Sequence, residues 1–218
     1  GRTTAPYTEN YIRYATKWYA HFDVDANTHY TVYGYMPRIT GMSSSLSSVT
    51  SDGATLTING IKPVTADDIC IITGVKETDT GRKEGQFGWR MENANDNFYM
   101  YLLMDHLYAS VKFSLKVSEE YAQLRTIKLK TMTLSVNQAS VNAAVTLHNT
   151  EGTSPITSVT YTLTTGDNCA AEIFNDAEGQ ALSSTPPIAV SACFAPILSG
   201  NLTLFSTYDV YDSKGNLI

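Results

Sequence analysis

The strongest constraint on this chain is a two-residue hydrophobic alternation that recurs along most of its length. Val111, Phe113, Leu115 and Val117 alternate with Lys112, Ser114 and Lys116. Successive side chains of a strand point to opposite faces, so this segment predicts a strand with one buried and one wet face. The same period places Ile12, Tyr14, Trp18, Ala20, Phe22 and Val24 on one face. It returns at Ala54, Leu56 and Ile58, at Val141, Ala143, Val145 and Leu147, and at Val159, Tyr161 and Leu163. Ile188, Val190, Ala192 and Phe194 follow, then Leu202, Leu204, Tyr208 and Val210. Shorter runs at Tyr30 to Met36 (stopped by Pro37), Ile69 to Val75 and Phe98 to Met104 also read as strands.

One helix is expected, from Glu119 to Leu124. Ser118 is a suitable N-cap, and Glu119 and Glu120 place negative charge in the first turn, where the dipole favours it. Beyond it the alternation changes phase. Ile127 and Leu129 are in one phase, whereas Met132, Leu134 and Val136 are in the other. A slip at Lys130–Thr131 therefore predicts a bulge or a bend between sheets.

Roughly eleven short strands separated by turn signals indicate an all-β antiparallel sandwich. No β–helix repeat is present, which argues against a nucleotide-binding α/β fold. Composition agrees. Ser and Thr make up 47 of 218 residues and charged residues only 17%, below the usual quarter or so. The net charge of −6 argues against nucleic-acid binding, which needs a basic stripe to neutralise phosphates. No run of about 18 apolar residues offers a transmembrane helix. The chain starts without a charged-then-apolar leader, which is expected to have been removed.

Residues 41–53 are Ser-rich and read as a loop, as does the mixed-charge stretch 76–97. Ten of the fourteen tyrosines fall at or before Tyr108, while the later half is rich in Thr, Ala and Val. This shift puts a domain boundary near residues 104–110, dividing 1–106 from 107–218.

Catalytic signatures are weak. His21, Asp23 and Asp25 share one face of a strand, and Asp23, Asp25 and Asn27 match the start of a calcium loop. Thr28 and Gly34 then stand where that loop needs Gly and Glu. A solvated strand face and turn is the simpler reading of His21 to His29. Asp67 and Asp68 are adjacent, which suits a turn or strand cap better than an acid–base pair. His106 has no nucleophile at a recognisable spacing, and His148 reads as a strand-end residue. The expectation is a non-enzyme with no catalytic residue, metal or cofactor. Cys169 and Cys193 could pair and leave Cys70 as a buried thiol; three small buried thiols is the favoured alternative. Trp89, on the second loop, is a candidate glycan contact, because exposed indoles stack on sugar rings. The opposing view is that Trp and Tyr simply fill strand faces.

The C-terminus is the most informative segment. Tyr208 to Ile218 reads as a strand, a turn at Asp212–Asn216, and the first two residues of a return strand. Such a hairpin implies an edge able to accept a strand, with Leu202, Leu204, Tyr208 and Val210 as its candidate residues.

The stretches Met104 to Leu115, Leu124 to Lys130, Val210 to Ile218 and Tyr33 to Pro37 resemble segments of fimbrillin-like proteins. These are the pilins, pilus anchors and tip adhesins of anaerobic gut and oral bacteria. The resemblance extends over roughly Trp18 to Ile218 with loose motifs. It implies two transthyretin-like sandwich domains in tandem, export as a lipoprotein, and location at the outer-membrane surface. It further implies that proteolytic removal of an N-terminal segment, commonly after an Arg, opens a groove that a neighbouring subunit's strand fills. The implied partners are other fimbrial subunits, together with host or bacterial surface glycans or proteins. A carbohydrate-binding module on the same sandwich is the alternative. This sequence departs from the family pattern in showing no lipid-bearing Cys near its start and no full return strand at its end.

Overall fold

The computed structural model describes residues 11–13, 29–76, 87–90, 101–149, 156–164, 166, 168–196 and 201–218. In chain order the strands are Tyr11–Arg13 (β1), His29–Thr31 (β2), Tyr35–Met36 (β3), Ser43–Thr50 (β4), Gly53–Ile61 (β5) and Val64–Thr65 (β6). Cys70–Lys76 (β7), Gly88–Arg90 (β8), Tyr101–His106 (β9) and Ala109–Leu115 (β10) follow. After the helix Glu119–Leu124 (α1) come Thr126–Val136 (β11), Ser140–His148 (β12), Ile156–Thr164 (β13), Cys169–Ala181 (β14), Ile188–Phe194 (β15) and Thr203–Tyr211 (β16). The protein is all-β with antiparallel sheets.

The helix forms where the sequence places it. Ser118 Oγ accepts from the Tyr121 backbone N–H at 3.3 Å, and none of the helical residues is buried. Tyr121 and Leu124 lie exposed, so local capping rather than core packing holds this turn in place.

Two compact units share the chain. One comprises residues 1–59, 69–107 and 142–161, the other residues 60–68, 108–141 and 162–218. One of the chain's passages from the first unit to the second falls between Leu107 and Tyr108. Segments 60–68 and 142–161 nevertheless belong to units on the other side of it, so neither unit is a contiguous stretch of sequence.

The first unit contains the sheet β1-β9-β7-β3, the pair β2-β8, and most of the sheet β13-β12-β5-β4. Ala54, Leu56 and Ile58 on β5 and Val145 and Leu147 on β12 are buried, as their alternation predicts. β7 is buried on both faces from Ile71 to Val75, which is why it shows an apolar run without alternation. Asn149 acts as a clamp: its Oδ1 accepts from Phe87 N at 3.1 Å and its Nδ2 donates to Ser51 O at 3.2 Å. Gly53 opens β5 with φ +150°, where a Cβ would run into the Leu147 carbonyl oxygen. Only glycine fits that backbone approach.

Residues 43–50 correct the loop reading of the Ser-rich segment. They form β4, an edge strand paired with β5 from Ser43↔Asn59 to Thr50↔Gly53. All eight of its residues are exposed, so burial imposes no hydrophobic period that a sequence could display. Within the other expected loop, residues 88–90 form β8 and pair with β2.

The second unit is a two-layer sandwich of β10-β15-β6 and β14-β11-β16. One part of its core joins Val64, Ala192, Val111 and Phe113 to Leu134, Val136 and Ala171. The adjoining part joins Ile188 and Val190 to Leu129 and Met132. The phase slip in β11 is a bulge: Leu129 pairs with Tyr208 and Thr131 with Thr207, leaving Lys130 as the extra residue. This one-residue insertion puts Leu129 and Met132 on the same buried face although three positions separate them. Opposite the bulge, β14 loops out between Asn175 and Gln180. Asp176 Oδ1 accepts from Glu178 N and Gly179 N there, and Lys130 Nζ donates to the Ala177 carbonyl. β14 shows no steady alternation in its sequence because its register breaks twice.

No disulfide joins the cysteines: Cys193 is buried and Cys70 and Cys169 are half-buried, all as thiols. This corrects the Cys169–Cys193 bridge alternative. Burial pushes the Cys193 thiol up from its ordinary pKa, with smaller contributions from the Asp68 and Asp67 carboxylates. The helix α1 is six residues long, and no helix among the described residues is long and apolar enough to cross a membrane.

Candidate functional site

The C-terminal hairpin forms as its sequence indicates. Asp212 N donates to Asn216 O at 2.9 Å and Gly215 N to Asp212 O at 3.0 Å. Gly215 takes φ +85°, a left-handed value that suits glycine. The Asp212 carboxylate organises the turn, accepting from Lys214 N and Asn216 N, each at 2.8 Å, and from Asn216 Nδ2 at 3.0 Å. Donation by the Asn216 side chain, then by the Asn216 and Lys214 backbone, holds this carboxyl below its ordinary pKa.

One edge of β16 is fully paired, from Thr126↔Tyr211 to Ser135↔Thr203 on β11. Thr131 Oγ1 and Thr207 Oγ1 lie 2.6 Å apart, Lys130 Nζ lies 3.6 Å from Asp209 Oδ2, and the Lys128 ammonium sits 5.3 Å from the Tyr211 ring centre. Among the described residues, the other edge is covered only at its C-terminal end, where Leu217 bridges Tyr211 and Ile218 N donates to Val210 O at 2.9 Å. Since Val210 turns its carbonyl outward, residues of the same parity, Leu204, Ser206 and Tyr208, present their backbone groups to that edge. Among the described residues, no strand pairs with them there.

The side chains on this edge are apolar and wet. Leu204 pairs with Leu134 and Tyr208 with Leu129, and both of those partners are buried. Leu204 and Tyr208 thus lie on the core side of their sheet, yet they are 41% and 57% exposed. Leu202, just before the strand, is 39% exposed, and Phe205 on the opposite face is 68% exposed. Val210 is half-buried under the return strand. An edge with unpaired backbone groups and an uncovered apolar face is the arrangement to which an added strand binds.

The other sequence candidates are dispersed. Trp89 lies on β8 opposite Tyr30, and its side chain is outside the described residues. His21, Asp23, Asp25 and Asn27 are also outside them, while His29 pairs with Arg90. Asp67 stays within a local turn, where its N–H donates to Thr65 Oγ1 at 3.0 Å. His148 ends β12 and is exposed.

One cluster was not legible in the sequence. Cys70 Sγ lies 3.7 Å from His106 Nδ1, across 36 residues of chain. The available signal is that Cys70 lies in one apolar run and His106 follows another, and pairing of the two runs cannot be read from spacing.

Comparison of the chain with protein-family models, with curated proteins and with solved structures finds no match.

Proposed function

We propose that this protein is a fimbrillin-like structural subunit of a bacterial surface fibre, without enzymatic activity, that assembles by accepting a strand from a neighbouring subunit. The finer architecture of the reading is two transthyretin-like sandwich domains, exported to the outer-membrane surface. The observation that carries it is the outer edge of β16, where Leu204 and Tyr208 face the core side of their sheet yet remain wet. A strand added there would take up the outward backbone groups of Leu204, Ser206 and Tyr208. Its alternate side chains would cover Leu202, Leu204 and Tyr208. Burying each such side chain contributes about 1.5–3 kcal/mol at most, and the ladder bonds add to it.

Hydrogen exchange tests this reading on dispersed protein and on protein allowed to assemble after trypsin treatment. The Leu204, Ser206 and Tyr208 amides should exchange fast when dispersed and become protected on assembly. Ser206→Pro removes an outward donor while leaving the β11 ladder intact, so it should abolish assembly with little effect on the fold. A protein that never assembles, or one whose Ser206→Pro variant assembles with normal protection, would overturn the reading.

A further inference from the structure

The outer edge of β16 is complementary to itself. Natural sheets prevent edge-to-edge pairing with a charged side chain, a proline or a bulge on the exposed strand. From Leu202 to Tyr208 this edge has neither charge nor proline. β16 contributes no extra residue to its ladder with β11 from Thr203 to Tyr211. The one charged residue of the strand, Asp209, lies beyond that stretch and is engaged with Lys130. All of these residues belong to the second compact unit.

Two such edges pair antiparallel only where edge-facing residues meet edge-facing residues. On β16 these are Leu204, Ser206 and Tyr208, with Leu202 in the same phase just before the strand. Val210 closes the series, because its carbonyl already accepts from Ile218 N. The register that engages all four places Leu202 opposite the second copy's Tyr208 and Leu204 opposite its Ser206, with the reverse contacts made by symmetry. A Leu then faces a Tyr, and a Leu faces a small hydroxyl, on the core side where Leu204 and Tyr208 are now wet. The two-fold axis passes between the two Phe205 residues. Phe205 directs its backbone groups to β11, so across the axis it forms a non-hydrogen-bonded pair, the kind whose side chains approach most closely. Two aromatic rings in that position favour each other. The pairing thus gives a partner to Phe205, which is 68% exposed on a face shared with Thr131, Thr133 and Thr207.

We propose that the strand added to β16 is the β16 of a second copy of this chain, in an antiparallel, two-fold symmetric pair centred on Phe205. This rests on the reading that the edge accepts a strand, and it names the source of that strand. Two three-stranded sheets β14-β11-β16 become one continuous sheet across the axis.

Cysteine cross-linking of the full chain tests the register. Opposed residues at position 205 have Cα atoms about 4.5 Å apart, within reach of a disulfide. Phe205→Cys should therefore give a covalent dimer under mild oxidation. Peptide mapping should place the bridge between the two positions 205 and not at Cys70, Cys169 or Cys193. The two Ser206 residues are diagonal neighbours about 7–8 Å apart, too far for a bridge, so Ser206→Cys alone should stay unlinked. Mixing Leu204→Cys with Ser206→Cys protein should restore a bridge with Phe205 in place, and this decides the matter if loss of the ring weakens the pair. Wild type should sediment as the single chain when dilute and at twice that mass when concentrated, whereas Ser206→Pro should remain single throughout. A wild type that stays single at every concentration, or a Ser206→Cys variant that links as readily as Phe205→Cys, would overturn self-pairing in this register. If the Leu204, Ser206 and Tyr208 amides still become protected on assembly, the edge takes a different strand and only the second copy is ruled out. If they do not, the strand-accepting reading falls with it.

Discussion

Asp212 shows how one side chain can define an edge. Its two oxygens accept three bonds from Lys214 and Asn216, and that turn returns the chain as far as Ile218 beside Val210. Those bonds favour the charged form and lower the folded-state pKa below the ordinary value of 3.8. For a depressed carboxyl the stabilisation is present above the unfolded-state pKa and is lost as pH falls through the folded-state value. The hairpin should therefore hold at neutral pH and loosen only below about pH 3.8. Amide shifts of Lys214 and Asn216, followed by NMR during acidification, check this. Asp212→Asn should remove the acid-dependent step. The Asp, Lys-Gly and Asn of this turn were legible in the sequence because turn residues act through their own neighbours.

At the scale of elements, the bulge in β11 has the greatest structural consequence. A one-residue slip moves every side chain of a strand to the opposite face. Lys130 supplies that slip, so both runs, Leu129 and then Met132, Leu134 and Val136, reach one core. Deleting Lys130 should turn one run outward, and the expected result is loss of near-ultraviolet circular dichroism and of a cooperative melt. Lys130→Ala keeps the residue count and removes the partly exposed ion pair with Asp209 and the hydrogen bond to the Ala177 carbonyl, so it should cost only about 1–2 kcal/mol in the same melt. The slip itself was visible as a change of phase in the sequence. β4 was not: none of its eight residues is buried, and its strand state comes from pairing with β5. β14 was hidden for the opposite reason. Its outward loop between Asn175 and Gln180 and a second register shift beside Phe174 interrupt the alternation that would have revealed it.

For the whole molecule, the chain path matters more than any single boundary. Val64 on β6 is fully buried among Leu134, Val136, Ala171 and Ala192, yet it precedes the 106/107 division by more than forty residues. A fragment spanning residues 107–218 would lack β6 and leave that pocket of the core open. Removing a buried aliphatic side chain alone costs about 2–5 kcal/mol at its upper range, comparable with the net stability of a small domain. The fragment should therefore give poorly dispersed NMR spectra. A fragment spanning residues 60–218 restores β6 and should give dispersed signals for the β10, β11 and β15 core.

The sequence by itself determined the strand class, the faces of β5, β10, β12 and β15, the capped helix, the β11 slip and the terminal turn. Each depends on periodicity or on residues within a few positions of one another, and such local physics is written in the order of the residues. Tertiary structure alone decided which strands lie side by side. It drew β6 into the core of residues beyond Tyr108, left Leu204 and Tyr208 wet on the core side of their sheet, and set His106 against Cys70. Those outcomes depend on pairings between distant segments, chosen by the burial of all strands at once, and no local spacing encodes them.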